Sequence, residues 1–173
     1  PRTARTVTVI CARLNDVQLW LEDRSGLTPL EIRSKARRLH KQGLGLIIID
    51  YLQLMTSGRR VESRQVEVSE FSRQIKLLAK ELEIPVIALS QLNRSAEQRA
   101  DRRPHMADLR ESGSLEQDAD LVLLLHREEA YDPQTKRIGE ADLEVAKNRH
   151  GRTGVAKLAF QGGYSRFASM ARQ

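Results

Sequence analysis

The sequence predicts an α/β fold in which a central, mostly parallel sheet is flanked by helices, with antiparallel strands at the C-terminal side. Apolar runs at residues 46–49, 84–90 and 120–126 show little alternation, and amphipathic helical patterns lie between the first two. Parallel strands that are buried on both faces have such runs, and helices connect them. Three later segments alternate apolar and polar residues, as a more exposed antiparallel sheet does: 141–149, 153–160 and 165–171.

Earlier in the chain, the patterns predict one further strand and two helices. Residues 17–23, VQLWLED, alternate and predict a strand. A helix is expected to begin after Thr28, because Glu31 completes a capping box and Pro29 takes the favoured first position. A second helix is predicted over residues 62–83, where apolar side chains recur every three or four positions.

The composition is that of one ordinary globular domain. The 173 residues are 40% hydrophobic and 30% charged, which argues against disorder and allows a sizeable core. No apolar run approaches the roughly 20 residues that span a membrane. The single cysteine, Cys11, cannot form an intrachain disulfide and fits a reducing compartment. We therefore expect a cytoplasmic protein with no membrane partner.

The net charge of +6 is compatible with a nucleic-acid partner but does not require one. Part of the excess lies in residues 147–152, KNRHGR, which contain no acid. Lys147 and Arg149 are two apart on a predicted strand, so both side chains should project to the same side. Such a pair either keeps an edge strand soluble or binds an anion. The arginine-rich run from Arg94 to Arg103 is expected to be a solvated face.

Polar residues follow three of the predicted buried strands. Asp50, Ser90–Gln91 and His126–Arg127 all fall at strand carboxyl ends, where ligands bind in parallel sheets. They are therefore expected to form one site. A carboxylate in this position holds Mg²⁺ beside phosphates in nucleotide-hydrolysing enzymes, or it caps a turn. From Asp50 alone both interpretations stay open.

The stretch LGLIIIDYLQLM, residues 44–55, resembles the second nucleotide-binding motif of the DnaB-type replicative DNA helicases, which are ring-forming ATPases with a RecA-like fold. The similarity extends in the family's order across roughly residues 17–170. It includes the segments GLTPLEIRSKARRL (26–39), ESRQVEVSEFSRQIKLLAKEL (62–82), IPVIALSQLNRSAEQR (84–99), ADLRESGSLEQDADLVLLLHR (107–127) and EVAKNRHGRTG (144–154).

This resemblance implies ATP and Mg²⁺ as cofactors and gives a role to several residues. Asp50 would be the Mg²⁺-associated carboxylate and Gln91 the γ-phosphate sensor, although an amide there can also cap a loop. Lys147 and Arg149 would reach the nucleotide held by the neighbouring subunit, so we expect them to point outward, away from the pocket of Asp50 and Gln91. An arginine in such a position is worth about 10³–10⁵ in rate.

The resemblance also implies contacts with single-stranded DNA. Arg110, Glu111 and Gly113 match a family loop that faces the central channel of the ring, where a glycine lets a backbone N–H approach a phosphate. Without the family, the same residues would be interpreted as a helix-capping loop. The implied partners are single-stranded DNA, five further copies in a homo-hexamer, primase and, as a further candidate, a helicase loader.

One family element is missing from the sequence. The phosphate-binding loop G-x-x-x-x-G-K-[ST] is absent, and the chain contains no Gly-Lys pair. We therefore expect a RecA-like domain truncated at its N-terminal side, with an atypical segment at 1–16 and a partial domain at 17–173. The chain alone is predicted to be inactive. Two alternatives are a non-enzymatic DNA-binding or ring-modulating remnant and a RecA-like recombinase-type ATPase.

Overall fold

The computed structural model describes residues 17–170, without the side chains of residues 94, 95 and 110–113. The prediction of a mixed α/β fold is confirmed. The helices are α1 (Pro29–His40), α2 (Arg64–Leu82) and α3 (Gly113–Asp118). The strands are β1 (Ile47–Ile49), β2 (Val86–Ala88), β3 (Leu121–His126), β4 (Glu140–Asn148), β5 (Gly154–Gln161) and β6 (Arg166–Ser169).

The described strands form two sheets. β1 and β2 are parallel, with Ile47 opposite Val86 and Ile49 opposite Ala88. β3, β4, β5 and β6 form an antiparallel sheet in that order. The prediction that residues 120–126 belong to the parallel sheet is wrong for the described part of the chain, because β3 pairs only with β4 there. Its side chains are alternately exposed and buried, which suits a sheet with one covered face.

The strand predicted at residues 17–23 is also wrong. This segment has no regular secondary structure, and Leu21 is 85% exposed. A strand needs a neighbouring strand to satisfy its backbone groups, and no described segment pairs with residues 17–23. Alternation in sequence is therefore a misleading signal here.

Both long helices begin at a capping residue, and the cap of α1 is the predicted one. The backbone N–H of Glu31 donates to Thr28 Oγ1 at 3.2 Å, and that of Thr28 donates to Glu31 Oε2 at 2.9 Å, which completes the predicted capping box of α1. In α2, the hydroxyl of Ser63 accepts from the N–H of Val66 at 3.2 Å. These bonds satisfy backbone donors that the first helical turn leaves without partners.

The core lies between the helices and one face of the parallel sheet. Phe71 of α2 is fully buried, as is Leu52, which follows β1. A first cluster consists of Leu52, Met55, Phe71 and Ile75, and a second of Ala36, Leu78 and Leu82. Ile47, Ile49 and Val86 pack against these clusters. The loop after β1 is thereby fixed to α2.

The opposite face of the sheet is not covered by described residues. Ile48 is 61% exposed and Ile87 is 51% exposed. The expectation that helices cover both faces is therefore wrong for residues 17–170. Over the same range, every helix is too short or too polar to cross a membrane.

Candidate functional site

Asp50 and Gln91 lie at the same edge of the parallel sheet. The backbone pairing of β1 and β2 continues past both strands: the N–H of Leu89 donates to the carbonyl of Ile49 at 2.9 Å, and that of Leu52 donates to the carbonyl of Leu89 at 3.0 Å. Asp50 follows β1 directly, and Gln91 is the third residue after β2. The structure thus brings these two predicted site residues together at strand carboxyl ends.

Among the described residues, no side chain or backbone group occupies the carboxylate of Asp50. Its residue is exposed, and it forms no hydrogen bond or ion pair with any residue of the described range. The peptide bond that follows it, Asp50–Tyr51, is cis. The alternative role as a turn or helix cap would require a bond to a nearby N–H, which is not present among these residues. An accessible carboxylate fits Mg²⁺, which prefers oxygen ligands and retains several waters.

The loop that carries Gln91 is held by the side chain of Gln53. Gln53 Oε1 accepts from the backbone N–H of Gln91 at 3.2 Å, while Nε2 donates to Ser90 Oγ at 3.1 Å and to the carbonyl of Gln91 at 3.4 Å. The side chain of Gln91 is exposed and has no hydrogen-bond partner among the described residues. Sequence reasoning did not single out Gln53, although its place three residues after Asp50 in DYLQLM was an available signal.

Gln53 is supported in turn by α2. Arg64 donates to the carbonyls of Gln53 and Met55 at 2.8 and 3.0 Å and pairs with the buried Glu67. Glu67 also accepts from the N–H of Ser57 at 2.7 Å. Burial raises the pKa of Glu67, but the hydrogen bonds from Ser57 and Arg64 more than offset it and leave the pKa below its usual range. The loop after β1 is therefore attached to α2 by charged groups.

Lys147 and Arg149 converge on the C-terminal end of α3. Lys147 Nζ donates to the carbonyls of Glu116 and Gln117 at 2.6 and 3.3 Å. Arg149, which follows β4, donates to the same carbonyl of Gln117 at 3.4 Å. The two side chains therefore share one side, as predicted. Carbonyls without intrahelical partners at a helix end attract cations.

Arg149 is paired with an acid that lies far from it in sequence. Its Nη1 lies 3.0 Å from Asp120 Oδ1, and the two side chains are 47% and 48% exposed. Asp120 was overlooked because it is distant in sequence and comes close only through the pairing of β3 with β4. Arg149 thus forms a surface ion pair with Asp120 of its own chain. Its position relative to another copy stays a prediction.

The segment expected to contact DNA is helical rather than a loop. Residues Met106–Ser112 form a 3₁₀ helix, and Gly113 begins α3. The side chains of Arg110 and Glu111, like the surroundings of Gly113, lie outside the described part of the structure. Contact of these three residues with single-stranded DNA therefore stays a prediction.

His126 and Arg127, expected at the same site as Asp50, are engaged elsewhere. His126 is buried, and its ring stacks on Tyr131 with centroids 6.0 Å apart. Burial, followed by the charge of Arg103, lowers the pKa of His126 below its usual value. The guanidinium of Arg127 lies over the ring of Phe160, with its Cζ atom 3.5 Å from the ring centroid. The prediction of a third polar group at the site is wrong, because both side chains pack within the antiparallel sheet region.

A buried ionic cluster was not foreseen. Asp142, in β4, is 4% exposed and accepts two hydrogen bonds from Arg137, at 2.6 and 2.9 Å, and one from Arg103 at 2.6 Å. These bonds, with that of Arg137 the strongest influence, lower the pKa of Asp142 to about 2. Arg99 likewise binds the buried Asp108. The run from Arg94 to Arg103 is therefore not simply a solvated face.

Comparison with known proteins identifies the family. The family model described as the DnaB-like helicase C terminal domain matches residues 2–169. The chain is 64% identical over 167 residues to the replicative DNA helicase DnaB of Leifsonia xyli subsp. xyli, covering 96% of this chain and 36% of that protein. Identity to the Pasteurella multocida replicative DNA helicase DnaB is 52% over 161 residues, which is 92% of this chain and 34% of that protein. The chain belongs to the DnaB-like helicase C-terminal domain family.

Solved structures agree with this assignment. One structure of an ATPase domain superposes with a TM-score of 0.89 at 37% identity, over 94% of this chain and 58% of that chain. A DnaB-like replicative helicase, in a structure described together with its interactions with primase, gives the same TM-score and identity, over 94% of this chain and 40% of that one. These neighbours confirm the RecA-like ATPase fold. The chain spans about a third of the length of the curated relatives just named.

Proposed function

We propose that this chain is the carboxyl-terminal part of an ATP-dependent replicative DNA helicase that translocates on single-stranded DNA and unwinds duplex DNA at the replication fork. The single observation that carries this proposal is the juxtaposition of Asp50 and Gln91. A carboxylate without a partner among the described residues and an exposed amide follow two hydrogen-bonded parallel strands, at the edge where such sheets bind ligands. The family match favours this role over a recombinase-type ATPase.

In this proposal, each of the two residues has one task at the nucleotide. Asp50 would hold Mg²⁺, which would supply positive charge to neutralise the phosphates of ATP. Gln91 donates from its amide to an oxygen of the γ-phosphate or orients the attacking water, and it loses that contact after hydrolysis. The sequence contains no Gly-Lys pair. Residues outside this chain would therefore hold the β- and γ-phosphates, and the chain alone would not hydrolyse ATP.

Lys147 and Arg149 would act on the nucleotide of the neighbouring subunit. Both are cations at the surface of the antiparallel sheet, and they are held side by side by the carbonyl of Gln117. A guanidinium can bind two phosphoryl oxygens at once and so stabilise the charge that develops during transfer. Since one subunit would supply Asp50 and the next would supply Arg149, activity would require a ring, which we propose to be a homo-hexamer.

The remaining partners follow from the role at a replication fork. Arg110, Glu111 and Gly113 would contact the backbone of single-stranded DNA in the central channel. Primase, and a helicase loader as a further candidate, would bind other parts of the assembled protein. Such a role belongs in the cytoplasm. One structural neighbour is a helicase described together with its interactions with primase, and this similarity supports the first of these protein partners.

The test uses a full-length chimera in which this chain replaces the matching region of the Leifsonia xyli relative. We expect the chimera to hydrolyse ATP when Mg²⁺ and single-stranded DNA are present. Asp50→Asn should reduce the turnover at least about a hundredfold, whereas Asp23→Asn, a change at an exposed acid, should not. A chimera that assembles but shows no turnover, or an active Asp50→Asn variant, would contradict the proposal and favour a ring-modulating remnant.

A further inference from the structure

The loop after β2 has little backbone support beyond the sheet. Main-chain pairing between the two parallel strands ends at Leu89, and the next backbone bond in this loop runs from Asn93 to the carbonyl of Asp108. Between these points, the N–H of Gln91 has one partner among the described residues, the Oε1 atom of Gln53. The position of Gln91 therefore depends on a side chain of the loop after β1.

The side-chain amide of Gln53 bonds to the main chain of Gln91 as a peptide group of a neighbouring β-strand would. Its oxygen accepts the N–H of Gln91 while its nitrogen approaches the carbonyl of the same residue, and the nitrogen also donates to Ser90 Oγ. Because both ends of the amide are engaged, a rotated amide would place like groups against each other. These contacts hold the main chain of Gln91 and leave its side chain exposed.

The segment that carries Gln53 is fixed by packing and by hydrogen bonds. Gln53 belongs to the 3₁₀ helix Leu52–Leu54, and Leu52 is 1% exposed in the core. The carbonyl of Gln53 accepts from Arg64 at 2.8 Å, and Arg64 is paired with the buried Glu67. Groups that hold a reacting side chain are most effective when their own positions are fixed by packing and hydrogen bonds.

We propose that Gln53 is a positioning residue, which sets the place of the Gln91 side chain relative to the terminal phosphate of the nucleotide bound at Asp50. This inference rests on the proposed function, since it assigns Gln91 to the phosphate. Gln53 would act through the main chain of Gln91 and not by contact with the nucleotide. It also joins the segment that carries the metal-binding carboxylate to the segment that carries the phosphate sensor, so that the two move as one unit.

The test measures hydrogen exchange and ATP turnover in the full-length chimera. In Gln53→Ala, exchange at the backbone amide of Gln91 should become about fivefold to tenfold faster, as expected for one lost hydrogen bond. The kcat should fall by about tenfold to a hundredfold with little change in KM. Gln53→Glu keeps the acceptor but not the donor, so its exchange rate at Gln91 and its kcat should lie between those of the unchanged chimera and of Gln53→Ala. Gln74→Ala, a change at an exposed glutamine of α2, is the matched control and should alter neither quantity.

A double-mutant cycle separates this inference from the proposed function. Because Gln53 acts through Gln91, Gln53→Ala should cause no further loss of kcat in a Gln91→Ala background. If Gln91→Ala lowers kcat and Gln53→Ala does not, or if the two losses multiply, the positioning role is wrong and the proposed function stands. If Gln91→Ala itself leaves kcat unchanged, the proposed role of Gln91 is wrong and the inference falls with it. Size-exclusion chromatography of each variant verifies that rings still form.

Discussion

Arg149 is bound to Asp120 of its own chain by two hydrogen bonds. One runs from the guanidinium to the carboxylate at 3.0 Å, and the other from the backbone N–H to the carbonyl of Asp120 at 2.8 Å. The backbone bond fixes where Arg149 leaves the sheet, whereas the side-chain pair is about half exposed. Exposed ion pairs are weak. A phosphate of a neighbouring subunit could therefore displace Asp120 from Arg149 at small cost.

The first prediction concerns this ion pair. Asp120→Asn should change the free energy of unfolding by less than about 1 kcal/mol, because exposed charges are screened by water and salt. Lys76 also binds Asp120, and its hydrogen bond is the main reason why the pKa of Asp120 lies below its usual range. The measurement is denaturant unfolding of the purified chain at low salt and in about 1 M NaCl, where exposed pairs are screened. A loss that is larger than this and insensitive to salt would show that Arg149 is locked in place.

The second prediction is a dependence of stability on pH. Because the folded state lowers the pKa of Asp142 to about 2, it binds this proton less readily than the unfolded chain, whose aspartate pKa is near 3.9. The contribution of Asp142 is therefore complete above about pH 4 and is lost as the pH falls towards 2, with a size of about 2 kcal/mol. Thermal unfolding of the original chain and of Asp142→Asn between pH 7 and pH 2 measures this contribution. If the two proteins lose stability equally as the pH falls, Asp142 does not make it.

The third prediction is the cost of removing the buried charge itself. Asp142→Asn removes the counter-ion that Arg137 and Arg103 share. Arg137 keeps its pair with Glu140, so the variant should lower the free energy of unfolding at pH 7 by about 2 kcal/mol. Asp23→Asn, which changes the same atoms at an exposed position, should cost less than about 0.5 kcal/mol. Chemical denaturation of the three proteins gives both values. Equal losses in the two variants would rule out a structural role for the ionic cluster.

The fourth prediction concerns the start of α1. Thr28→Ala removes the oxygen that accepts from the N–H of Glu31 and should destabilise the chain by about 1 kcal/mol. Thr28→Ser keeps a hydroxyl in this position and should restore most of the loss. Circular dichroism during urea unfolding gives both values. If the serine variant is as unstable as the alanine variant, the methyl group of Thr28 rather than its hydroxyl matters.

Local signals in the sequence predicted much of the fold. The capping box of Thr28 and Glu31 was identified because the bonds it makes are within one helical turn. The segment 17–23 was misjudged because alternation indicates a strand only when a partner strand is present. Burial of Ile48 and Ile87 was overestimated because covering the second face of the sheet depends on residues that the described chain does not supply.

Contacts between distant segments limited the prediction of the site. Asp50 and Gln91 could be placed together because parallel strands align their carboxyl ends. The pairing of Arg149 with Asp120 and of Arg103 with Asp142 depends on contacts across 29 and 39 residues, which no local pattern reveals. Gln53 was missed for a different reason: its amide faces the next loop, and that geometry is visible only in three dimensions.

In the proposed mechanism, each nucleotide is served by Asp50 of one subunit and Arg149 of the next, and a subunit-mixing experiment is its sharpest test. Asp50→Ala and Arg149→Ala chimeras, each inactive as a uniform ring, are co-assembled in equal amounts, and ATP turnover is measured. We expect turnover to return, because some interfaces then combine an intact Asp50 with an intact Arg149 from the neighbour. Mixed rings that remain as inactive as either parent would contradict it, since both residues would then have to belong to the same chain.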